Sequence, residues 1–178
     1  MTTTPFRYMK SKTAALISFP FSGGQPRKGV ELGPEALLKA ELPRQLESLG
    51  WKADLNQSID WKMVNDILQD DPDIGTLKNP RSVSKASELL ADAVEKSARA
   101  GELPLVLGGD HSLGTGSMIG LNRVYPDVAT IWVDAHADIN TAKTTPSGNL
   151  HGCPVSFALG LEGSYVEPFK SWLPNPPI

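Results

Sequence analysis

Residues 103–138 read LPLVLGGDHSLGTGSMIGLNRVYPDVATIWVDAHAD, and the alternation of apolar and polar segments in them indicates the fold class. The apolar run 103–107 predicts a short buried strand, residues 113–124 predict a helix, and residues 128–133 predict a second strand. A continuous apolar run is typical of a strand that is covered on both faces, as in a parallel sheet. The stretch therefore predicts a strand–helix–strand unit with parallel strands.

The preceding part of the chain continues this alternation. Residues 14–19 predict an opening buried strand, and Gly33-Pro34 predicts a helix start, because proline is favoured at the first helical position. Residues 42–49 continue as helix, and a longer helix is expected from the N-cap and first-turn pair Asn79-Pro80 to Gly101. The order of elements predicts an α/β fold with three layers, α/β/α, around a mainly parallel sheet.

The composition is that of an ordinary globular protein and argues against several classes. The 178 residues carry a net charge of -3, whereas nucleic-acid partners require a clustered basic excess. No run approaches the ~18 apolar residues of a membrane span. The single cysteine, Cys153, excludes an internal disulfide and fits a reducing compartment. We expect a cytoplasmic protein, with the mitochondrion as an alternative because residues 1–30 begin basic and Thr-rich.

Polar residues follow both strands of the 103–138 unit at the point where each strand ends. In open parallel sheets, ligands bind outside the carboxyl ends of the strands. Alternate residues of an extended chain project to one side, so Asp134, His136 and Asp138 are expected to converge. His111, after the neighbouring strand, is expected to join them. A lone Asp or His at a strand end is usually a cap or a solvated side chain, but four together predict a metal site.

The chemistry of these four side chains narrows the choice of metal. Two carboxylates on one face repel each other unless a cation lies between them. The set is rich in oxygen and lacks thiolate, which favours Mn²⁺ over a structural Zn²⁺ site, while Co, Fe and catalytic Zn remain open. Because carboxylates can bridge two ions, a two-metal site is expected.

Residues 139–152, INTAKTTPSGNLHG, are hydrophilic and rich in turn formers, which predicts a loop beside the metal site. The neutral hydrogen-bonding groups of Asn140, Thr145 and Ser147 suit the carboxylate or ammonium group of a small polar ligand. His151 is a candidate proton carrier. By itself the segment is equally typical of an ordinary surface loop, and its position beside the metal site favours the functional interpretation.

Three motifs together resemble those of the ureohydrolase superfamily and, within it, the arginase family. They are GGDHS at 108–112, DAHAD at 134–138 and SGNLHG at 147–152, and parts of PFSGGQPRKGVELGP at 20–34 resemble the start of eukaryotic arginases. Agmatinases share the metal motifs, but the run from Asn140 to His151 is similar to the arginase version. The resemblance implies that a hydroxide bridging two Mn²⁺ ions hydrolyses L-arginine to L-ornithine and urea, and that complete subunits form homotrimers.

The resemblance also implies a role for each candidate residue. Asp134 would bridge the two ions, and His151 would shuttle protons. The implied metal ligands are His111, Asp134, His136 and Asp138. The implied contacts to the substrate α-carboxylate are Asn140, Thr145 and Ser147.

The chain departs from the family pattern in its length. Arginases are considerably longer, and their later half carries an Asp-x-Asp-x-x-Asp-Pro motif and a glutamate near the guanidinium, neither of which is present in a matching context in these 178 residues. We therefore expect residues 1–178 to be one truncated arginase-like domain, with a sheet incomplete at its C-terminal side. Alone, the chain is expected to be poorly soluble or loosely folded and to form no appreciable urea.

Two alternatives stay open at this point. The complete protein is either an arginase or another ureohydrolase that acts on agmatine or a guanidino acid. A different class is a non-catalytic truncated product that binds metal or arginine, or that associates with full-length subunits.

Overall fold

The computed structural model describes residues 8–55, 59, 61–175 and 178, so the first seven residues of the basic start lie outside the described part. The strands are β1 (Thr13–Phe19), β2 (Lys52–Asp54) and β3 (Leu103–Gly108). The helices are α1 (Gly33–Lys39), α2 (Leu42–Ser48), α3 (Trp61–Gln69), α4 (Pro80–Ala100), α5 (Gly114–Asn122) and α6 (Pro154–Leu159). Short 3₁₀ turns cover Val30–Leu32, His111–Leu113, Leu150–Gly152 and Phe169–Ser171.

The strands form a parallel sheet in the order β2-β1-β3, with Leu16 of β1 opposite Leu105 of β3. The central strand β1 is buried at every position except Ser18, which is half-buried, so both of its faces are covered. This confirms the predicted α/β fold with a parallel sheet, and with it the strands expected near residues 14–19 and 103–107. The short strand β2 and helix α3 were not predicted from the sequence.

The strand predicted over residues 128–133 is wrong. These residues are irregular, and the side chains of Ile131 and Val133 are 87% and 91% exposed. A cavity of about 690 Å³, with Val106 and Gly108 on one side and Val128 to Trp132 on the other, separates them from β3. An apolar run becomes a buried strand only when its backbone is paired and its faces are covered, and neither condition is met for residues 128–133 in the described part of the chain.

Helix α4 begins and ends where the sequence predicts. It starts at Pro80, and Gly101 ends it with the left-handed conformation (φ +79°) that glycine adopts without strain. Its inner face buries Val83, Leu90 and Val94 against the core. The regular apolar spacing along this face explains why the prediction succeeded.

The N-terminal cap of α4, however, comes from a different residue than expected. The side chain of Asn79 makes no cap and instead donates a hydrogen bond to the carbonyl of Gly23 at 2.8 Å. The carboxylate of Asp71, whose side chain is completely buried, accepts from the backbone N–H groups of Ser82 at 2.6 Å and Arg81 at 3.2 Å. Asp71 is eleven residues away from Ser82, so local sequence rules do not detect this cap.

Helices α4 and α5 pack closely because α5 carries glycine on its contact face. A Cβ atom at Gly116 would overlap the carbonyl oxygen of Ser87, and one at Gly120 would overlap the carbonyl oxygen of Ala91. These oxygens belong to the backbone of α4 and do not move aside as a flexible side chain does. The close approach helps to hold the start of α5, and therefore the turn that carries His111, against the core.

We expect Gly120→Ala to destabilise the complete protein by about 1 kcal/mol, the overpacking cost less the gain in helix propensity. Overpacking costs about 1–3 kcal/mol and exceeds the ~1 kcal/mol that alanine gains in helix propensity. Urea unfolding measures the difference. Ser117→Ala in the same helix is the control, since it adds no atom and should stay within about 0.5 kcal/mol of wild type. A Gly120→Ala variant as stable as wild type would contradict the packing.

No helix in the described part of the chain combines the length and apolar content that crossing a membrane requires.

Candidate metal and substrate site

The strand order places a crevice between β1 and β3. The chain runs from β1 to β2 on one side and then crosses over to β3 on the other side of β1, so the strand order reverses here, and ligands bind at such a switch point. Backbone hydrogen bonds continue beyond the strands, from Gly109 N–H to Phe19 at 3.0 Å and from Asp110 N–H to Phe21 at 2.8 Å. Only glycine fits at position 109, because a Cβ atom there would overlap the Phe21 carbonyl. The turn with His111 is therefore tied to the loop after β1.

Three of the four predicted metal ligands lie together at this edge. Nδ1 of His111 is 3.2 Å from Oδ2 of Asp134 and 2.9 Å from Oδ2 of Asp138. One potential ligand atom from each of the three residues lies within 4.8 Å of the others. The site thus joins the turn after β3 to a segment 23 residues or more further along the chain.

The aspartates converge for a different reason than the one predicted. Residues 134–136 form a bend, and residues 134–138 are not part of a strand. Oδ1 of Asp134 accepts a hydrogen bond from the backbone N–H of His136 at 2.8 Å, which stabilises a local turn, and Asp138 has a left-handed φ of +50°. The expectation of strand-like alternation at these positions is wrong, although Asp134 and Asp138 do meet.

His136 lies apart from this three-residue cluster. Its side chain is 82% exposed, and its Nδ1 is 3.4 Å from Oδ1 of Asp134. The bend at Asp134 turns the imidazole outward, whereas an extended segment would have directed it to the same side as the aspartates. A role for His136 as a ligand stays a prediction.

The electrostatics of the cluster suit a cation. The backbone N–H of His136 holds the pKa of the Asp134 carboxyl below its usual value, and the nearby imidazoles of His111 and His136 lower it further. Oδ2 of Asp138 is buried and, although Nδ1 of His111 lies 2.9 Å away, it forms no hydrogen bond of good geometry among the described residues. A buried carboxylate oxygen without a hydrogen bond of good geometry is costly, and a divalent metal ion bound by imidazole and carboxylate would satisfy it. The residues therefore fit a metal ion.

The predicted substrate residues lie on the loop between this cluster and α6. The hydroxyl oxygen of Thr145 accepts from Gly148 N–H at 3.1 Å, and that of Ser147 accepts from Asn149 N–H at 3.3 Å. In both contacts the hydroxyl is the acceptor, so its own hydrogen can be donated to a ligand.

Long-range contacts fix the course of this loop. Gly148 has a φ of +76°, and a Cβ atom there would overlap the carbonyl oxygen of Thr76. The carbonyl of Gly148 accepts from Lys78 N–H at 2.9 Å, and the carbonyl of Asn140 accepts from the Ser156 hydroxyl at 2.5 Å. The loop is therefore held by the turn before α4 and by α6 rather than lying loosely on the surface.

His151 lies half-buried on the short turn that precedes α6. Its backbone N–H donates to the carbonyl of Gly24 at 3.0 Å, and its ring Nδ1 is 3.1 Å from the same oxygen. The loop after β1 therefore positions both the backbone and the ring of His151.

All eight residues singled out from the sequence line one cavity of about 420 Å³. They are His111, Asp134, His136, Asp138, Asn140, Thr145, Ser147 and His151. This includes His136, which lies outside the three-residue cluster but borders the same space. The carboxylate–imidazole cluster forms one part of the cavity wall, and neutral hydrogen-bonding groups form another part.

Two features of the site were not predicted from the sequence. Trp132 stacks on the ring of His111 with the ring centroids 4.8 Å apart, and the buried carboxylate of Asp110 bridges two backbone N–H groups. Asp110 lies inside the GGDHS motif, which was the available signal for it. Cys153, in contrast, is buried as expected, and burial, followed by the charge of Asp138, raises the pKa of its thiol to about 12. The thiol is therefore a packed group rather than a nucleophile.

Fold and site together define an α/β protein with a candidate metal centre at the carboxyl edge of a parallel sheet and a polar ligand cavity beside it. A profile of the Arginase family matches residues 12–172. The chain belongs to the arginase family, as the motifs indicated.

Similar proteins support this membership along nearly the whole chain. Arginase-1 of Homo sapiens is 49% identical over 170 residues, which cover 92% of this chain and 50% of that protein. The arginase of Eremothecium gossypii is 46% identical over 171 residues, covering 96% of this chain and 43% of that protein. The chain thus spans about half the length of the curated relatives it matches.

Solved structures show the same relationship in three dimensions. A cold-adapted arginase from Glaciozyma antarctica aligns with a TM-score of 0.74 at 38% identity, covering 97% of this chain and 53% of that chain. The Entamoeba histolytica arginase, solved in complex with L-ornithine, aligns with a TM-score of 0.70 at 30% identity and covers 87% and 51%. The described fold is therefore an arginase-like α/β fold over part of the length of those proteins.

Proposed function

We propose that the complete protein containing this chain is a manganese-dependent arginase that hydrolyses L-arginine to L-ornithine and urea. The observation that carries this proposal is the meeting of all eight candidate residues around one cavity. The L-ornithine complex of the Entamoeba histolytica arginase supports a substrate of this size and chemistry.

The metal site would use the cluster at the carboxyl edge of the sheet. His111 and Asp138 would hold one Mn²⁺ ion, His136 a second, and Asp134 would bridge them. When bound, such ions supply hydroxide near neutral pH by lowering the pKa of water to about 7. This chemistry is needed because a guanidinium group is stabilised by resonance and protonated near neutrality, so water attacks it poorly.

The neutral groups of the loop would orient the substrate. Asn140, Thr145 and Ser147 lie on the same cavity as the carboxylate cluster and would hold the α-carboxylate of arginine by hydrogen bonds. The guanidinium would then lie toward the metal site that Asp134 and Asp138 help to form. This division of the cavity favours arginine over agmatine, which has no α-carboxylate to bind.

His151 would carry the proton that the reaction requires. Collapse of the tetrahedral intermediate releases the δ-amine of ornithine only if that nitrogen gains a proton. The half-buried imidazole of His151 borders the cavity, and an imidazole changes protonation state near neutral pH.

Urea release tests the proposal. The complete protein, loaded with Mn²⁺, should release urea from L-arginine and much less from agmatine or 4-guanidinobutyrate. The isolated 178-residue chain should release none above background, because the further aspartate ligands that the family resemblance implies are absent from it. Preference for agmatine would identify another ureohydrolase, and urea release by the isolated chain would contradict the expected need for those ligands.

Two exposed side chains favour a second candidate function. Ile131 and Val133 are 87% and 91% exposed, and covering such large apolar side chains with another chain would be favourable because it removes them from water. A non-catalytic product that joins full-length subunits would cover them. Co-purification of the chain with complete subunits, without activity of its own, would support this role.

The proposal also includes the domain organisation, the oligomeric state and the cellular location of the complete protein. Residues 1–178 would form part of one arginase-like domain, whose complete subunits assemble as homotrimers in the cytoplasm and act in arginine metabolism, including the urea cycle. The single, buried Cys153 supports a reducing compartment. No nucleic-acid or membrane partner is proposed, given the net charge of -3.

A further inference from the structure

We infer that Asp110 is a positioning residue for His151, acting through Gly24 to fix which ring nitrogen of His151 carries the proton. Only the catalytic consequence of this inference rests on the proposed function, because the contacts themselves are observed independently of any activity. Asp110 would thereby connect the proton carrier to the same turn that presents His111.

The carboxylate of Asp110 links two separate segments. Its Oδ2 accepts a hydrogen bond from Gly24 N–H, in the loop after β1, at 2.8 Å. Its Oδ1 accepts from Ser112 N–H, in the turn that carries His111, at 2.9 Å. The residue is buried, so both hydrogen bonds are shielded from water. Because the two N–H groups are bound by different oxygens of the side chain, both oxygens must be acceptors, as they are in a carboxylate but not in an amide.

Gly24, whose N–H is bound by Asp110, in turn binds His151 through its carbonyl oxygen. The carbonyl oxygen of Gly24 accepts from the backbone N–H of His151 at 3.0 Å and lies 3.1 Å from Nδ1 of its ring. A carbonyl oxygen only accepts hydrogen bonds, so the contact to the ring requires a proton on Nδ1. In the neutral imidazole, Nε2 then has the lone pair and is the nitrogen that takes up a proton.

The position of Gly24 leaves it little freedom to move. A Cβ atom at this residue would lie 2.6 Å from Oδ1 of Asp110 and 2.6 Å from Oγ of Ser112. The Gly24 backbone is therefore packed directly against the carboxylate that anchors it. Its carbonyl keeps one direction, toward His151, as long as Asp110 accepts from both N–H groups.

The variant Asp110→Asn tests whether Asp110 acts through its hydrogen bonds or only by filling space. Asp110→Asn keeps the shape of the side chain but replaces one acceptor oxygen with an NH₂ group, so it accepts one N–H and faces the other with a donor. Gly24→Ala disturbs the same link while leaving the carboxylate intact. Ser112→Ala is the matched control, because it removes a buried hydroxyl that has no hydrogen-bond partner among the described residues and keeps the Ser112 N–H.

The experiment measures the His151 tautomer directly. The complete protein, metal-free and labelled with ¹⁵N-histidine, is studied by two-bond ¹H–¹⁵N NMR above the titration range of its imidazoles, and His151→Asn assigns the signal by its loss. We expect the Nδ1–H tautomer in wild type and Ser112→Ala, and a loss of its dominance in Asp110→Asn and Gly24→Ala. An Nε2–H tautomer in wild type, or an unchanged tautomer in folded Asp110→Asn, overturns the inference.

A kinetic cycle gives a second readout that a purely structural role would not produce. In urea formation from L-arginine, Asp110→Asn should lower kcat more than it raises KM, and it should cause little further loss when His151 is already asparagine. Fully additive losses would overturn the inference. Failure of wild type to release urea would contradict the proposed function alone, since the NMR result does not depend on activity.

Discussion

Replacing Asp138 with asparagine is expected to weaken Mn²⁺ binding at least about 100-fold. Mutation of a group that only orients a metal ligand lowers metal affinity about 10–100-fold. Removal of a ligand itself should lower the affinity further. The side chain of Asp138 is 8% exposed, and its Oδ2 lies 2.9 Å from Nδ1 of His111 without forming a hydrogen bond of good geometry among the described residues. Asparagine preserves the size but removes the charge that a divalent cation requires.

Electron paramagnetic resonance of free Mn²⁺ in a titration of the complete protein measures this affinity. Asp127→Asn is the matched control, since Asp127 is exposed and lies outside the lining of the candidate cavity. The control should bind Mn²⁺ as wild type does. If Asp138→Asn also binds within threefold of wild type, the carboxylate–imidazole cluster is not the metal centre.

Replacing His151 with asparagine is expected to lower kcat for urea formation about 100-fold, with little change in KM for L-arginine. Proton transfer by a positioned side chain contributes about 10²–10⁴-fold, and the lower end applies because the half-exposed ring allows water to substitute in part. Binding is little affected, since the hydrogen-bonding groups proposed for the α-carboxylate belong to other residues. Added imidazole should restore part of the lost rate.

Steady-state kinetics of the complete protein with Mn²⁺ give both parameters. Lys143→Gln is the control on the same loop, because the Lys143 ammonium pairs with exposed Glu162 at 3.0 Å and lies outside the cavity lining. It should leave kcat and KM unchanged. A rise in KM without loss of kcat in His151→Asn would assign the imidazole to substrate binding instead of proton transfer.

Local sequence patterns were sufficient where the structure depends on local interactions. Helix α4 follows from its apolar spacing and from Gly101, and the central strand β1 follows from a continuous apolar run. The grouping of the candidate residues was also predicted, because their short motifs carry the residue types that metal and ligand binding need, although the motif at 134–138 does not follow a strand in the structure. Agreement between sequence and structure is strongest at these elements.

Other features depend on groups that are distant in the chain. The cap of α4 comes from Asp71 rather than from Asn79, whose amide instead binds the carbonyl of Gly23. No local pattern identifies such partners, because the interaction forms only after the loop before α4 has folded against the helix. The outward direction of His136 has a similar origin, in a turn that is closed by the Asp134 side chain.

The sequence by itself determined the α/β class, the family and the set of residues around the cavity, since these follow from apolar periodicity and from short motifs. Only the tertiary structure decided that residues 128–133 lie unpaired beside β3, that two aspartates meet His111 through a bend, and that Asp110 is linked to His151 through Gly24. The physical reason is that strand pairing and buried hydrogen bonds depend on which backbone groups are brought together from distant parts of the chain.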